Sequence, residues 1–361
     1  MKALVALELN RLSVEDVSID PPRAGEVLVR MKATGVCHSD LSVANGTVPM
    51  PLPMVLGHEG AGVIAEVGPG VTNVAVGDHV VLSFVPACGE CWFCTRLEPH
   101  LCVRCDPSGR MWDGTSRLHL DGQELGAMSQ LGCLAQYAVV PAKSVIAIDR
   151  SIPFGSAALV GCAVMTGVGA IVNTARVEPA STVAVFGCGG VGLAAIQGAR
   201  LVGARQVIAV DLADHKLDHA RRFGATDCVN AREDAVAAVK TLTGGWGVDH
   251  SFEMTGRPSV MEQAYAAARR GGSVCIVGVG RYTESMQLNA LMLSGEAKRI
   301  LGCFYGSANF RVDMPMLLAH YQAKRLDLDG LITRTYGIDE APAAFADLEA
   351  GRNVRGLVLF D

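Results

Sequence analysis

The feature that most constrains this chain is a group of four closely spaced cysteines, Cys88, Cys91, Cys94 and Cys102. Thiols at this density form either a knot of disulfides or a cage around one metal ion. Two-residue gaps let successive sulfurs converge on one tetrahedral ion, and four thiolates with no open position are typical of structural zinc. The disulfide alternative is disfavoured, because the chain is long and we expect no export signal at its N-terminus. The spacing therefore predicts a structural zinc lobe at residues 88–102.

Length and composition limit the class of protein further. A chain of 361 residues exceeds the range in which a single core keeps growing, so we expect two domains. Half of the residues are apolar and 19% are charged, as in a well-packed globular protein. The formal net charge of −5 lacks the basic excess of a nucleic-acid binder. Twelve cysteines without an expected export signal indicate a reducing compartment, and we predict a cytoplasmic protein.

One uncharged stretch, residues 151–175, is long enough to span a membrane. Pro153 and several glycines interrupt it, and Cys162 in its middle would be an unusual residue to face lipid. We interpret the stretch as a buried segment that joins two domains, and we predict no association with a membrane.

The pattern of strands and helices changes along the chain. Up to about residue 150 it consists of short strands and turns, with strands predicted at 26–31, 62–67 and 78–82. From about residue 176, strands and helices alternate, which indicates a parallel sheet with helices on both faces. The predicted strands there are 181–186, 206–211, 248–254 and 273–279, the predicted helices are 190–202, 213–223, 258–269 and 312–324, and a closing strand is predicted at 354–360.

A glycine-rich motif directly follows the first strand of the alternating region. Gly187, Gly189 and Gly192 fit the G-x-G-x-x-G pattern, with Gly190 and Val191 between the last two. Strand before and helix after are the context in which this pattern binds a dinucleotide pyrophosphate. Asp211 ends the next strand, where a carboxylate binds the adenosine ribose and would repel a 2′-phosphate, so NAD is favoured over NADP. The alternative is a structural glycine turn.

Three further residues of ligand type stand beside glycines: Cys37 in Gly35-Val36-Cys37-His38-Ser39-Asp40, His58 in Gly57-His58-Glu59-Gly60, and Cys162 in Gly161-Cys162-Ala163. With these motifs the chain resembles, essentially end to end, the zinc-dependent medium-chain alcohol dehydrogenases of the liver-type branch. Alcohol dehydrogenase is itself a known case of a Cys₂His zinc site with an open fourth position. The resemblance implies a catalytic zinc on Cys37, His58 and Cys162. It implies a second, structural zinc on the four clustered cysteines.

The resemblance also implies a fold and a reaction. The fold is α/β, with a β-rich GroES-like catalytic domain at 1–163, completed by 305–361, and a doubly wound Rossmann domain that binds NAD at 164–304. The reaction is hydride transfer between NAD and an alcohol whose hydroxyl pKa the zinc lowers.

Specific side chains are assigned by position in the same family. Ser39 matches the hydroxyl that takes the alcohol proton, and Asp40 matches a carboxylate that orients the ligand His58. Both could instead cap a helix N-terminus. Glu59 matches a buried carboxylate near zinc. Further matches are His38 and Arg355 near the pyrophosphate, Thr166 and Val191 at the nicotinamide, Lys216 at the ribose, and Val279 between cofactor and substrate. Arg355 could also be an ordinary surface charge.

The matching substrate-pocket positions are apolar: Val48, Phe84, Val279 and Phe304, with Met128 as a further candidate. Burying a charge among them would be costly, so we expect uncharged, medium-sized primary alcohols with an aromatic or terpenoid tail. The runner-up is a formaldehyde dehydrogenase acting on the glutathione adduct. Such relatives carry an arginine where this chain has Asp106. They also carry acidic residues in a loop that corresponds to residues 44–48, which contain none here. Both differences count against the glutathione adduct as substrate.

Two other departures and alternatives remain. In many relatives a histidine ends the proton relay, and this chain has Ser42 at that position. We therefore predict that water or His38 completes the path.

A polyol dehydrogenase would usually carry glutamate in place of Cys162, and a quinone reductase would lack the zinc ligands. A non-enzymatic zinc module for nucleic acid would cluster its cations, whereas Arg96 and Arg104 alternate with acids. The long segment between Cys102 and Tyr137 resembles the dimeric branch and predicts a homodimer.

Overall fold

The computed structural model describes all residues, 1–361. Its strands, numbered in chain order, are β1 (Lys2–Glu8), β2 (Arg11–Asp16), β3 (Ser18–Ile19), β4 (Glu26–Val36), β5 (Met54–Val55), β6 (Gly60–Val67), β7 (His79–Leu82), β8 (Leu118–Leu120), β9 (Gln123–Ala127), β10 (Tyr137–Pro141), β11 (Val145–Ala147), β12 (Thr182–Phe186), β13 (Gln206–Asp211), β14 (Asp227–Asn230), β15 (Val248–Glu253), β16 (Ala268–Ile276), β17 (Arg299–Gly302), β18 (Ile332–Gly337) and β19 (Arg355–Leu359). Its α-helices are α1 (His38–Ala44), α2 (Trp92–Thr95), α3 (Phe154–Val160), α4 (Ala163–Gly169), α5 (Gly190–Leu201), α6 (Asp214–Arg222), α7 (Ala235–Leu242), α8 (Pro258–Ala267), α9 (Ala290–Gly295), α10 (Phe310–Gln322) and α11 (Ala341–Glu349).

The chain divides into two compact units. The first comprises Met1–Cys162, Asn309–Lys324 and Leu328–Asp361, and the second comprises Ala163–Ala308 and Arg325–Asp327. The boundaries predicted for functional domains, 1–163 with 305–361 and 164–304, remain a prediction.

The first unit is built from β-sheets. One has the strand order β2-β1-β5-β9-β8-β3, and the other has the order β11-β7-β6-β4-β19-β18 with β10 also paired to β4. In β4 the alternate residues Val27, Val29 and Met31 are fully buried and pack in one apolar core with Ile64 of β6, as the two-residue period of a strand requires. The C-terminal strand β19 pairs antiparallel with β4, so the end of the chain returns to this unit as predicted.

The second unit is a six-stranded parallel sheet with the order β14-β13-β12-β15-β16-β17. This confirms the predicted doubly wound sheet. The order reverses between β12 and β15, so a crevice opens there beyond the carboxyl ends of the strands, where open α/β sheets bind ligands. The glycine-rich motif follows β12 and therefore lies at this crevice.

The strand predicted at 273–279 is observed at Ala268–Ile276 instead. Val277 N still donates to the main-chain oxygen of Glu253 at 2.9 Å, as a parallel ladder requires, but Gly278 N donates to the same oxygen at 3.0 Å, so the ladder goes no further. The helix predicted at 258–269 ends at Ala267 for the related reason that Ala268 already pairs with Val248.

The uncharged stretch 151–175 forms α3, α4 and a π-helical turn at Ala170–Thr174, most of whose residues are buried. No single helix of the chain is both long and apolar enough to cross a membrane. Only the bent pair Phe154–Val160 and Ala163–Thr174 meets the length and composition criteria jointly.

Candidate active site and metal centres

The four clustered cysteines converge in the structure. Their sulfur atoms all lie within 4.8 Å of one another, and none forms a disulfide. Main-chain N–H groups point at the sulfurs: Cys91 N donates to Cys88 Sγ and Cys88 N donates to Cys102 Sγ, both at 3.3 Å. Four thiols around one point, with N–H donors to stabilise negative sulfur, fit a tetrahedral zinc ion.

A second group of metal-ligand type forms from residues far apart in sequence. The ligand atoms of Cys37, His58 and Cys162 lie within 4.8 Å of one another, and all three residues are buried. Cys37 follows β4, His58 lies between β5 and β6, and Cys162 follows α3. The structure thus brings together the three residues that the resemblance assigned to one metal.

Glycines beside these residues make room for the close approach. Gly57 has a φ of +100°, and a Cβ there would lie 2.3 Å from the main-chain nitrogen of Leu134. A Cβ on Gly161 would lie 2.8 Å from the carbonyl oxygen of Leu82. Neither backbone position tolerates a side chain, since the atoms that a Cβ would meet belong to the main chain.

Asp40 holds the imidazole of His58. Its Oδ1 lies 3.1 Å from His58 Nδ1 and accepts Gly57 N at 2.9 Å, while Oδ2 accepts Cys37 N at 3.2 Å. Asp40 therefore completes a capping box at the start of α1 and also orients the imidazole, so the two roles weighed from the sequence coexist.

The remaining nitrogen of His58 suits a metal. Nε2 is buried and has no hydrogen-bond partner, which is unusual for a polar atom inside a protein. Burial lowers the pKa of His58, but the charge and hydrogen bond of Asp40, together with Cys37, outweigh it and raise the pKa to about 10. A hydrogen bond with Cys162, against the effect of burial, lowers the pKa of Cys37 well below its usual value. This pocket therefore stabilises a thiolate and a positive partner, and a bound zinc ion would take the place of the imidazole proton.

Glu59, the residue after His58, forms a buried ion pair with Arg355. Arg355 is only 3% exposed, so the alternative that it is an ordinary surface charge is wrong. The pair has room because Gly35 lacks a Cβ, which would clash with the Glu59 carboxylate. Its members are 296 positions apart, and no local sequence signal links them. The predicted pyrophosphate contact of Arg355 remains a prediction.

The other residues assigned in the first unit differ in position. Ser39 Oγ lies 3.8 Å from Cys37 Sγ, whereas the neighbouring His38 is exposed. The Phe84 ring meets the His58 ring edge-on, with centroids 5.5 Å apart. Val48 is half-buried against an apolar core that contains Met128, which is 3% exposed.

The glycine-rich loop of the second unit has the backbone that its motif predicts. Gly187 has a φ of +98°, and a Cβ on Gly192 would lie 1.9 Å from the Gly187 oxygen, so both positions require glycine. At Gly189, the N-terminal cap of α5, a Cβ would meet nothing within 4 Å. Open space at a helix N-terminus is what a pyrophosphate needs.

Asp211 lies at the end of β13 beside this loop. Its carboxylate accepts Cys188 N at 2.8 Å and Ala213 N at 3.0 Å, so it anchors the loop. The remaining assigned residues of this unit are Gly190 (buried) and Thr166, Val191 and Lys216 (half-buried), with Val279 and Phe304 more than half exposed.

Asp40→Asn tests the role of Asp40 in holding the metal ligand. We expect the zinc affinity of the Cys37–His58–Cys162 group to fall about 10- to 100-fold, the usual effect of losing the partner of a ligand histidine. Competition with a chelator, followed by metal analysis, measures this. Asp347→Asn is the matched control, because Asp347 is a buried carboxylate of the same unit that bonds Tyr336 and Arg352 instead. Equal zinc affinity in both variants would contradict the assignment.

Comparison with known proteins adds to this geometry. The alcohol dehydrogenase GroES-like domain matches residues 23–150, and the zinc-binding dehydrogenase domain matches residues 190–320. A Mycobacterium tuberculosis protein named "Putative alcohol dehydrogenase D" is 39% identical over 349 residues, which cover 95% of either chain. The chain belongs to the zinc-binding medium-chain alcohol dehydrogenase family. It is an oxidoreductase that acts on alcohols, and the predicted GroES-like and Rossmann folds are confirmed.

Two solved structures of the family bear on ligands. The benzyl alcohol dehydrogenase of Acinetobacter calcoaceticus is 33% identical, with a TM-score of 0.94, and the match covers 100% of this chain and 99% of that one. A Sinorhizobium meliloti protein named "putative zinc-binding dehydrogenase", bound to NADP, is 27% identical, with a TM-score of 0.83, and the match covers 99% of both chains.

Proposed function

We propose that this alcohol dehydrogenase uses NAD and two zinc ions per chain, one catalytic and one structural, and that it belongs to the liver-type branch of its family. The observation that carries the proposal is the buried Cys37–His58–Cys162 group, in which the unpartnered His58 Nε2 stands beside two thiols. Three protein ligands leave one position of a tetrahedral zinc ion for substrate.

The chemistry follows from what this site can supply. A zinc ion held by Cys37, His58 and Cys162 would supply Lewis-acid chemistry, which lowers the pKa of an alcohol hydroxyl. Ser39, close to the Cys37 sulfur, accepts the alcohol proton through a hydrogen bond. Asp40 holds His58 in the tautomer that presents Nε2, and the next residue, Glu59, supplies a buried carboxylate paired with Arg355.

The choice of NAD over NADP rests on Asp211. A carboxylate at the end of the second strand bonds a ribose 2′-hydroxyl and repels a 2′-phosphate. Lys216, one turn into the following helix, is the nearest cation in sequence and is assigned to the ribose itself. The NADP found in the Sinorhizobium meliloti relative makes the comparison of both nucleotides a necessary part of the test.

For the substrate, we propose primary alcohols with an apolar or aromatic tail. Phe84 places an aromatic ring beside His58, and the other assigned pocket positions, Val48, Val279 and Phe304, are apolar. The similarity to a benzyl alcohol dehydrogenase supports this class.

The test is turnover of purified enzyme with NAD or NADP across ethanol, benzyl alcohol, a terpenoid alcohol, and formaldehyde with glutathione. We expect kcat/KM for benzyl alcohol to exceed that for ethanol by about tenfold or more, because the larger tail buries more apolar surface. Equal values for ethanol and benzyl alcohol would contradict the proposed pocket, and faster turnover with NADP would contradict the role of Asp211.

The glutathione adduct of formaldehyde is the second candidate substrate. It needs a cation near the lobe for the glycine carboxylate, but Asp106 occupies the matching position and caps its own loop by accepting Ser108 N at 2.8 Å. The nearby Arg104 already pairs with Glu90 at 3.3 Å. Turnover restricted to the adduct would favour this candidate over the apolar alcohols.

Ser42→His tests the proton path. Ser42 lies on α1 and cannot hold a proton near neutral pH, so water or His38 completes the path in our proposal. An imidazole at this position has a pKa near the physiological range. We therefore expect the variant to turn over faster than wild type below neutral pH, as measured by the pH profile of kcat. Ser42→Asn, of similar size but without a titrating group, is the control. Identical profiles for all three proteins would exclude a relay through this position.

We also propose a cytoplasmic homodimer. Strand β17 is the edge of the parallel sheet and pairs on one side only, with β16. The preceding helix α9 has no buried residue and exposes Leu291, Met292 and Leu293. An unpaired edge strand, preceded in the chain by a helix with exposed apolar side chains, is a feature that a second copy of the chain would cover. Light scattering of the purified protein tests the dimer.

A further inference from the structure

A buried carboxylate without a cation lies at the crevice of the parallel sheet. Glu253 ends β15 and is 0% exposed. Its Oε1 accepts Thr255 N at 2.6 Å, Thr255 Oγ1 at 2.5 Å and Gly256 N at 2.9 Å, while Oε2 is buried without a hydrogen-bond partner. Burial raises the pKa of Glu253, which the donors from Thr255 and Gly256 oppose.

The main chain of Glu253 fixes a second loop. Its carbonyl oxygen accepts both Val277 N and Gly278 N, which ends β16 and starts the loop that carries Val279. The two loops then touch backbone to backbone. A Cβ on Gly256 would lie 2.2 Å from the Val279 oxygen, and one on Gly278 would lie 2.0 Å from Gly256 N and 2.8 Å from Glu253 Oε2.

The same cluster reaches the glycine-rich loop. Glu253 is in register with Phe186, the last residue of β12, and Met254 N donates to the Phe186 oxygen at 2.9 Å. A Cβ on Gly187 would lie 2.7 Å from Thr255 Cγ2, so the side chain that Glu253 holds packs directly on the first glycine of the motif. Glu253 therefore joins three loops where the strand order reverses. They are the glycine-rich loop after β12, the loop after β15 with Thr255 and Gly256, and the loop after β16 with Gly278 and Val279.

The missing cation distinguishes Glu253 from other buried carboxylates of the chain. Glu26 pairs with Arg117 and Glu59 with Arg355, whereas no ion pair includes Glu253. A carboxylate taken out of water without a cation is costly, and the main-chain donors offset only part of that cost.

We propose that Glu253 is a positioning residue that sets the affinity for the nicotinamide dinucleotide by holding these three loops in their binding conformation. The inference rests on the proposed use of a dinucleotide. Loops that are ordered before binding lose less conformational entropy when the ligand arrives, which strengthens binding without any direct contact.

The test compares Glu253→Gln with a matched control on the same strand. Asp249 lies near the start of β15, at the end of the strand away from the crevice. Its carboxylate accepts Thr182 N, Thr182 Oγ1 and Arg269 Nε at 2.7–2.8 Å. We expect Glu253→Gln to raise the Kd of NADH, measured by fluorescence titration of the full chain, about tenfold. KM for NAD rises in parallel, and kcat at saturating NAD changes much less. Asp249→Asn lowers the melting temperature but leaves the Kd of NADH unchanged.

The outcomes separate this inference from the proposed function. Unchanged NADH affinity in a folded Glu253→Gln variant overturns the inference while leaving the proposed function intact. Wild-type protein that binds neither NADH nor NADPH overturns the proposed function and the inference with it. Equal loss of NADH affinity in Asp249→Asn would show that Glu253 only stabilises the sheet, and it would also overturn the inference. If Glu253→Gln does not fold, Thr255→Val decides, because it removes one donor to Glu253 and keeps the methyl contact with Gly187. The same Kd as wild type in that variant also overturns the inference.

Discussion

Cys162→Ser is expected to abolish turnover of alcohols while leaving a folded protein. The hydroxyl is a far weaker zinc ligand than a thiolate, and the remaining pair, Cys37 and His58, cannot hold the ion in a fixed geometry. Since Lewis-acid activation supplies several kcal/mol and each 1.4 kcal/mol is tenfold in rate, kcat/KM should fall about 1,000-fold or more. Metal analysis should show that one of the two candidate zinc sites is lost.

The control for this experiment is another buried thiol of the same unit. Cys133 is 0% exposed and lies outside both metal-ligand groups. Cys133→Ala removes apolar volume and should lower stability somewhat, while zinc content and turnover stay close to wild type. Full zinc content and activity in Cys162→Ser would show that Cys162 is not a ligand, whatever happens in the control.

Cys94→Ser is expected to open the structural zinc lobe without emptying the catalytic site. The lobe has little core of its own, since α2 is a single turn with no buried residue and Leu97 is 85% exposed. We therefore expect its folded form to depend on the proposed metal. Loss of a structural metal is one of the few changes that lower the free energy of unfolding by about 4 kcal/mol or more. Opening should then become roughly 700-fold more frequent, and cleavage by trypsin after Arg96 or Arg104 should accelerate accordingly.

Limited proteolysis with mass spectrometry, alongside metal analysis, measures this effect. Cys105→Ser is the matched control, because Cys105 is close to the lobe in sequence but its sulfur faces the Phe84 oxygen at 3.5 Å and is outside the cluster. We expect wild-type resistance to trypsin in the control. Resistance in Cys94→Ser as well would mean that packing, and not metal, holds the lobe.

The features that could be read from local spacing agree with the structure. The four lobe cysteines lie so close in sequence that any compact fold keeps their sulfurs near each other. The glycine motif could be predicted for the same reason, because its strand, tight turn and helix N-terminus are consecutive in the chain. Its glycines are required by backbone contacts only a few residues apart, such as that between Gly192 and Gly187.

The ends of the elements were less predictable. A helix was expected to continue to Arg269 and a strand to Val279, from their composition alone. Hydrogen bonds to another part of the sheet decided both ends: Ala268 pairs with Val248, and Gly278 N donates to the Glu253 oxygen that already accepts Val277 N. Such partners are chosen by tertiary packing, which local preferences do not contain.

By itself, then, the sequence determined the cluster of four cysteines, the glycine-rich turn and the alternation that builds a parallel sheet, because each depends on neighbours along the chain. The catalytic group was assigned through resemblance to a family, and only the tertiary structure shows Cys37, His58 and Cys162 at one point. The Glu59–Arg355 pair and the loops joined by Glu253 had no sequence signal at all. Their members are distant in the chain or interact through main-chain atoms, so their contacts exist only after the sheets have formed and brought those segments together.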